Sequence, residues 1–243
     1  PEAALAAMVE VAMVDYETAL RIESRYLAHL IVSPVAKNMI NTFFFHMNAV
    51  KGGGSRPKDV PKFKPTKVGI LGAGMMGAGI AYAQASRGID TVLEDVSLEN
   101  AELGKAYSQR VTQPRVDKGR MSVVQQQALL ARILPTDHAK DLAGCQLIIE
   151  AVYEARDVKA QVTREAEAQL ARDGFMASNT STLPITGLAQ ACKRPEKFVG
   201  IHFFSPVDKM QLVEIIRGQK TDDETVARAY DYVQALGKLP IVV

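Results

Sequence analysis

The run Gly72-Ala73-Gly74-Met75-Met76-Gly77 constrains the fold more than any other stretch of the chain. A G-x-G-x-x-G pattern alone is common, and a glycine turn with no ligand would also satisfy it. Its setting is more specific. An apolar strand-like run, Val68 to Leu71, precedes it, and a helical run rich in Ala and Gly, Met76 to Arg87, follows it. In a strand–turn–helix unit each glycine has its own task. Gly72 allows the tight turn, Gly74 lets the backbone approach a pyrophosphate, and Gly77 lets the helix pack close to the strand. The helix N-terminus at Met75 and Met76 then offers free N–H groups and a positive dipole end to phosphates. A second strand, Thr91 to Leu93, ends at Glu94-Asp95, and Asp95 lies 18 residues after Gly77. That is close to the ~20 residues expected before an acid that binds the ribose hydroxyls. Glu94 is a rival, but neighbours on a strand point to opposite faces, so only one of the two reaches the ribose. A carboxylate there repels a 2′-phosphate, and Val96 and Ser97 offer no Arg to accept one. The expected cofactor is therefore NAD, not NADP.

Downstream, strands and helices keep alternating. Helices are predicted over 97–118 and 122–132, with Ser122 and Gln125 at capping-box spacing. A third strand falls at 147–149, a helix at 158–171, and strands at 175–177, 198–201 and 212–216. A helix over 222–236 follows, with Thr221 and Glu224 at capping-box spacing, and a strand at 239–243 closes the chain. This order predicts an α/β fold: a Rossmann-type, doubly wound, mainly parallel sheet covered on both faces.

Upstream, residues 1–50 read as a helical leader, interrupted at Ser33-Pro34 by a helix cap and a first-turn proline. Met39, Phe43 and Met47 recur at four-residue spacing, as do Ile40 and Phe44, which predicts a packing face for something beyond this hairpin. Residues 51–66 hold three glycines, three prolines and five basic residues against one acid, and read as a solvated connector more than as a phosphate-binding patch. The expected organisation is leader 1–50, basic Gly/Pro connector 51–66 and nucleotide-binding domain 67–243. The net charge of +2 gives no case for nucleic acid or an anionic membrane. No stretch approaches the ~18 unbroken apolar residues of a membrane helix, and no signal peptide is evident. Cys145 and Cys192 fit neither a disulfide framework nor a metal motif, so no metal is expected. Free thiols point to a reducing compartment, the cytoplasm. Both ends read as cut, which suggests a piece of a larger polypeptide.

Of the four histidines, His29 and His46 lie in the leader and His138 in a polar loop. His202 differs: it follows Phe198-Val199-Gly200-Ile201 and precedes Phe203-Phe204-Ser205-Pro206. A histidine ending an apolar strand is either a general base or a hydrogen-bonded core residue, and this segment alone does not separate the two.

Four motifs taken together do. The glycine run with Asp95, Glu150-Ala151-Val152-Tyr153-Glu154, Ser178-Asn179-Thr180-Ser181, and Ile201-His202-Phe203-Phe204-Ser205-Pro206-Val207 followed by Leu212-Val213-Glu214 stand in one order. Residues 67–243 thereby resemble the NAD-binding domain of the L-3-hydroxyacyl-CoA dehydrogenase family. The leader and connector resemble the segment joining hydratase to dehydrogenase in the alpha subunit of the bacterial fatty-acid beta-oxidation complex. The resemblance implies a Rossmann fold, NAD as cofactor, a 3-hydroxyacyl-CoA substrate, and a thiolase subunit as partner. It implies that His202 takes the proton of the 3-hydroxyl while hydride leaves C3 for the nicotinamide. Glu214 would orient that histidine and stabilise its cationic form, and Ser181 would hydrogen-bond the substrate oxygen. Ala151, Glu154, Lys159 and Asn179 would face the cofactor.

The chain departs from the commonest family pattern at Ser205, where single-function members usually carry Asn; a direct substrate contact there would be lost or water-bridged. The family's helical domain, which completes the acyl-CoA cleft, has no counterpart before Val243. The expectation is therefore a dehydrogenase whose nucleotide-binding part is present here. Two alternatives stand beside it: another beta-hydroxyacid dehydrogenase, and a noncatalytic nucleotide-binding or scaffolding module.

Overall fold

A computed structural model describes residues 1–243 and divides them into two compact units, Pro1–Gly54 and Ser55–Val243.

The first unit is helical: α1 (Glu2–Val11), α2 (Tyr16–Ile31), α3 (Pro34–Ile40), a π-helical turn (Asn41–His46) and α4 (Met47–Lys51). The break between α1 and α2, not expected from composition, is fixed by Asp15, whose carboxylate caps α2 by accepting from Thr18 N–H at 3.0 Å. Ser33 caps α3 from Ala36 N–H at 3.1 Å, with Pro34 in the first turn as predicted. The π turn adds one residue to the helical repeat and shifts its phase. Met39, Ile40, Phe43 and Phe44 of the expected packing stripe are all exposed, as is Phe45.

The second unit holds an eight-stranded sheet. Its strands are β1 (Lys67–Leu71), β2 (Asp90–Glu94), β3 (Ile133–Thr136), β4 (Cys145–Glu150), β5 (Leu170–Ser178), β6 (Phe198–Phe203), β7 (Leu212–Ile216) and β8 (Leu239–Val242), in the order β3-β2-β1-β4-β5-β6-β7-β8. All neighbours are parallel except β6 and β7. The helices are α5 (Met75–Ala85), α6 (Leu98–Asp117), α7 (Val123–Leu130), α8 (Arg156–Glu167), a short α9 (Ile185–Leu188) and α10 (Asp223–Ala235). Ile70, Leu93, Ile149, Ala177 and Ile201 bury one sheet face with Ile80 of α5 and Tyr230 of α10. Leu71, Val92, Ile148, Met176 and Phe198 bury the other with Ala166 of α8 and Leu188 of α9. Strands covered on both faces read as continuous apolar runs, which is why the sequence marks β1, β4 and β5 so clearly.

Three differences from expectation have local causes. β3 has only four residues with Pro135 inside, too short and too interrupted to show a period; it sits at the sheet edge, where a missing N–H is tolerated. Helix α8 ends at Glu167 and β5 begins at Leu170, so residues 170–171 belong to the strand. The Thr221–Glu224 capping box does not form. Asp222 caps α10 from Thr225 N–H at 2.7 Å, while the Thr221 hydroxyl donates to Phe198 C=O at 2.6 Å. The Ser122–Gln125 box forms at α7 as expected.

The connector is not simply solvated. Buried Asp231 of α10 accepts from Arg56 Nε at 2.7 Å, Arg56 Nη2 at 2.8 Å, Lys62 Nζ at 2.8 Å and Phe63 N–H at 2.9 Å. Phe63 packs edge-on to Phe175, with the Arg228 guanidinium 4.3 Å over its ring. Arg56 and Lys62 are thus consumed within the fold.

Candidate active site at the carboxyl edge of the sheet

β1 lies between β2 and β4, so the loops leaving β1 and β4 diverge at the switch point where open α/β sheets bind ligands. The loop after β1 is the glycine run. Gly72 sits at φ +90°, and a Cβ there would stand 2.8 Å from the Ala151 carbonyl oxygen on the β4 loop. A Cβ on Gly77 would stand 1.8 Å from the Gly72 carbonyl oxygen. Gly74 differs: a Cβ there meets nothing within 4 Å. That open space lies at the start of α5, where Gly74 provides no side-chain cap and the N–H groups of Met75, Met76 and Gly77 have no acceptor within the helix. An anionic diphosphate fits such a cradle by charge and by room.

Register separates Glu94 from Asp95. Glu94 pairs with Leu71 and shares its face, away from α5. Burial, with Glu165 and Asp95 nearby, pushes the Glu94 carboxyl up to about 7. Asp95 lies just past β2 and turns to the glycine loop, accepting from Ala73 N–H at 2.6 Å. Its other oxygen accepts from Val96 N–H at 2.8 Å and Asn100 Nδ2 at 3.1 Å.

The loops after β4, β5 and β6 enclose a cleft of about 340 Å³ lined by Met76, Ala151, Val152, Glu154, Lys159, Asn179, Ser181, His202, Phe203, Phe204 and Ser205. Seven of the thirteen sequence-predicted site residues line it; Gly72, Gly74, Met75, Gly77 and Asp95 form the adjoining glycine loop, and Glu214 stands behind His202. His202 Nδ1 is 2.8 Å from Glu214 Oε2, which leaves Nε2 as the ring nitrogen not engaged by that carboxylate. The ring of Phe204 lies 4.7 Å from that of His202, centroid to centroid. Asn179 accepts from Phe203 N–H through Oδ1 at 2.9 Å, so its amide NH₂ is the remaining donor. The Ser205 hydroxyl is 3.7 Å from the Met75 sulfur, across from the glycine loop.

One part of the site was not expected. Fully buried Glu150, the last residue of β4, takes the Lys159 ammonium at 2.8 and 3.1 Å and also accepts from the Ser178 hydroxyl. Lys159 reaches Glu154 Oε2 at 3.1 Å. Glu154 accepts from the Thr180 hydroxyl and from Ser181 N–H at 3.2 Å. The Ser178 hydroxyl accepts from Thr180 N–H at 3.1 Å, which closes the ring. This network ties the β4 loop to the β5 loop. Burial leaves the Glu150 carboxyl above the usual carboxylate range, although the Lys159 ammonium opposes the shift. For Glu154 burial opposes ionisation, yet the Thr180 and Lys159 hydrogen bonds hold its carboxyl below the usual range. The sequence signal was a Glu closing the apolar run Leu147-Ile148-Ile149: a charge inside a buried strand needs a partner.

This α/β domain thus sets a histidine–carboxylate pair beside the crevice of the glycine loop. Residues 67–243 match the family described as 3-hydroxyacyl-CoA dehydrogenase, NAD binding domain, and the chain belongs to that family. Over all 243 residues it is 36% identical to a fatty acid oxidation complex subunit alpha of Psychrobacter arcticus, covering 34% of that protein. The chain thus spans about a third of the length of the curated relatives it matches. Among solved structures, (S)-3-hydroxybutyryl-CoA dehydrogenase from Ralstonia eutropha superimposes with a TM-score of 0.71 at 37% identity, over 74% of this chain and 64% of that one. The 3-hydroxybutyryl-CoA dehydrogenase of Escherichia coli gives 0.71 at 31% identity, over 74% of this chain and 38% of that one.

Proposed function

We propose that this domain serves the NAD-dependent oxidation of an L-3-hydroxyacyl-CoA to the 3-ketoacyl-CoA in fatty-acid beta-oxidation. The observation that carries this reading is the 2.8 Å His202–Glu214 pair opening onto the cleft that Ser181 also lines. With Nδ1–H donating to Glu214, His202 presents the Nε2 lone pair and takes the proton of the 3-hydroxyl there. Glu214 stabilises the imidazolium that results. The Ser181 hydroxyl hydrogen-bonds the substrate oxygen. The N–H groups at Met75, Met76 and Gly77 hold the pyrophosphate, and Asp95 accepts from the ribose. Asn179, Ala151, Glu154 and Lys159 form the cofactor wall. Bound NAD supplies the carbon that accepts hydride from C3.

The names of the relatives as complex subunits support a partner for the parent protein, which we assign as a thiolase subunit. Both cysteines are free thiols, in keeping with a reducing compartment and the cytoplasmic placement we favour. No helix is long and apolar enough to cross a membrane. The test is the reverse reaction: acetoacetyl-CoA added to NADH and the polypeptide that carries this domain. The expected result is a loss of NADH absorbance matched by formation of 3-hydroxybutyryl-CoA; no consumption of either compound contradicts the proposal.

A further inference from the structure

We propose that Glu150 sets the charge of the cofactor wall: it shares the Lys159 ammonium with Glu154, so that the three groups keep one net negative charge, facing the oxidised, cationic nicotinamide through Glu154. This rests on the functional reading above. If His202 takes the hydroxyl proton while hydride leaves the same carbon, the accepting ring must stand in the cleft that His202 lines. Glu154 lines that cleft, and Glu150 does not reach it.

The charge count follows from the distances. Lys159, 2% exposed at its side chain, lies 2.8 Å from Glu150 and 3.1 Å from Glu154. Two carboxylates share one ammonium, and the sum is negative by one. The Lys159 ammonium contacts both Glu150 oxygens, whereas Glu154, 36% exposed at its side chain, is the member open to the cleft. Neutralising Glu150 would hand the whole ammonium charge to Glu154 and bring the sum to zero. The oxidised nicotinamide is a cation and the reduced ring is neutral, so only the oxidised cofactor feels the change. A unit charge several ångströms away in a partly buried site corresponds to about a tenfold change in affinity.

The experiment is equilibrium titration of the chain with NAD+ and with NADH, in wild type, Glu150→Gln, and the double variant Glu150→Gln with Lys159→Met. In Glu150→Gln, affinity for NAD+ falls about tenfold relative to NADH. In the double variant the ratio returns towards wild type, because the cluster again carries one net negative charge although the network is broken. A purely structural role for Glu150 would weaken both nucleotides together and leave the double variant no better; either result overturns the proposal. Should Glu150→Gln fail to fold, Glu154→Gln reads the same charge directly: a relative loss of NAD+ is expected, and an unchanged ratio overturns the proposal. A wild-type chain that binds neither nucleotide overturns the functional reading itself, and this proposal with it.

Discussion

His202 and Glu214 stand directly opposite each other across the antiparallel β6–β7 pair, and their side chains meet at 2.8 Å. Opposed residues in an antiparallel pair project to the same face, so the register itself aims the carboxylate at the ring. The next pair, Phe203 and Val213, points the other way into the core. A slip of one residue would send Glu214 to the wrong face and expose that apolar pair. The connecting loop is fixed as well. Lys238 Nζ donates to Val207 C=O at 2.5 Å and to Met210 C=O at 2.6 Å, and the Tyr107 hydroxyl donates to Asp208 at 2.9 Å.

The glycines of the first loop should separate by role. Gly77→Ala would force a Cβ to 1.8 Å from the Gly72 carbonyl oxygen, and the loop cannot keep its path. Gly74→Ala meets open space, so thermal stability should change by less than about 1 kcal/mol. Its methyl group would still occupy the room where a pyrophosphate approaches, and NADH affinity should fall. Melting curves and NADH titration of both variants check this. A Gly74→Ala variant with wild-type affinity would remove the pyrophosphate from that turn.

Asp95→Asn should weaken NADH by about tenfold or more and narrow its advantage over NADPH, since hydrogen bonds to a charged group contribute about 1.5–3 kcal/mol. Part of the loss comes through the loop, because Asp95 also holds Ala73 N–H. Equal dissociation constants for NADH and NADPH in the wild-type chain would contradict the assignment.

Asp231 anchors the connector. Its side chain is 3% exposed and that of Arg56 is 10% exposed, so Asp231→Ala leaves a nearly buried guanidinium without its carboxylate. The expected cost is about 3–5 kcal/mol, read from urea unfolding. Burial opposes ionisation, but Arg56 and Lys62 hold the Asp231 carboxyl below its usual range. A depressed acid stabilises above its unfolded pKa. This contribution is therefore present at neutral pH and lost as the pH falls below about 4.

Glu94 works in the opposite sense. Burial first, then Glu165 and Asp95, raise it to about 7. A raised acid favours the fold at low pH, and that advantage disappears as the pH rises through about 7. Glu94→Gln should therefore be close to neutral near pH 4 and stabilising by about 2 kcal/mol near pH 8. Urea unfolding at both pH values gives the difference, and a pH-independent effect would show that Glu94 ionises freely in the folded chain.

Legibility in the sequence followed burial. β1, β4 and β5 are covered on both faces and appear as apolar runs, and the glycine turn adds steric requirements that few residues meet. His202 stood out because a histidine closes an apolar strand. What stayed hidden depends on distant partners. Asp231 meets Arg56 from 175 residues away, so no local pattern reveals that the connector is pinned. The Glu150–Lys159–Glu154–Thr180 ring closes only once β4 and β5 are paired. β3 is short and interrupted by Pro135, so periodicity fails there.

We assign His202 as the base and Glu214 as its orienting partner. Steady-state oxidation of a 3-hydroxyacyl-CoA by the polypeptide that carries this domain, with His202→Gln and Glu214→Gln compared under identical conditions, decides these roles. Loss of a general base costs about 10²–10⁴-fold in turnover. His202→Gln should lose that much with NADH affinity nearly unchanged, and Glu214→Gln should fall in the same direction. A His202→Gln enzyme that turns over at the wild-type rate would contradict the account and move the proton transfer to another residue.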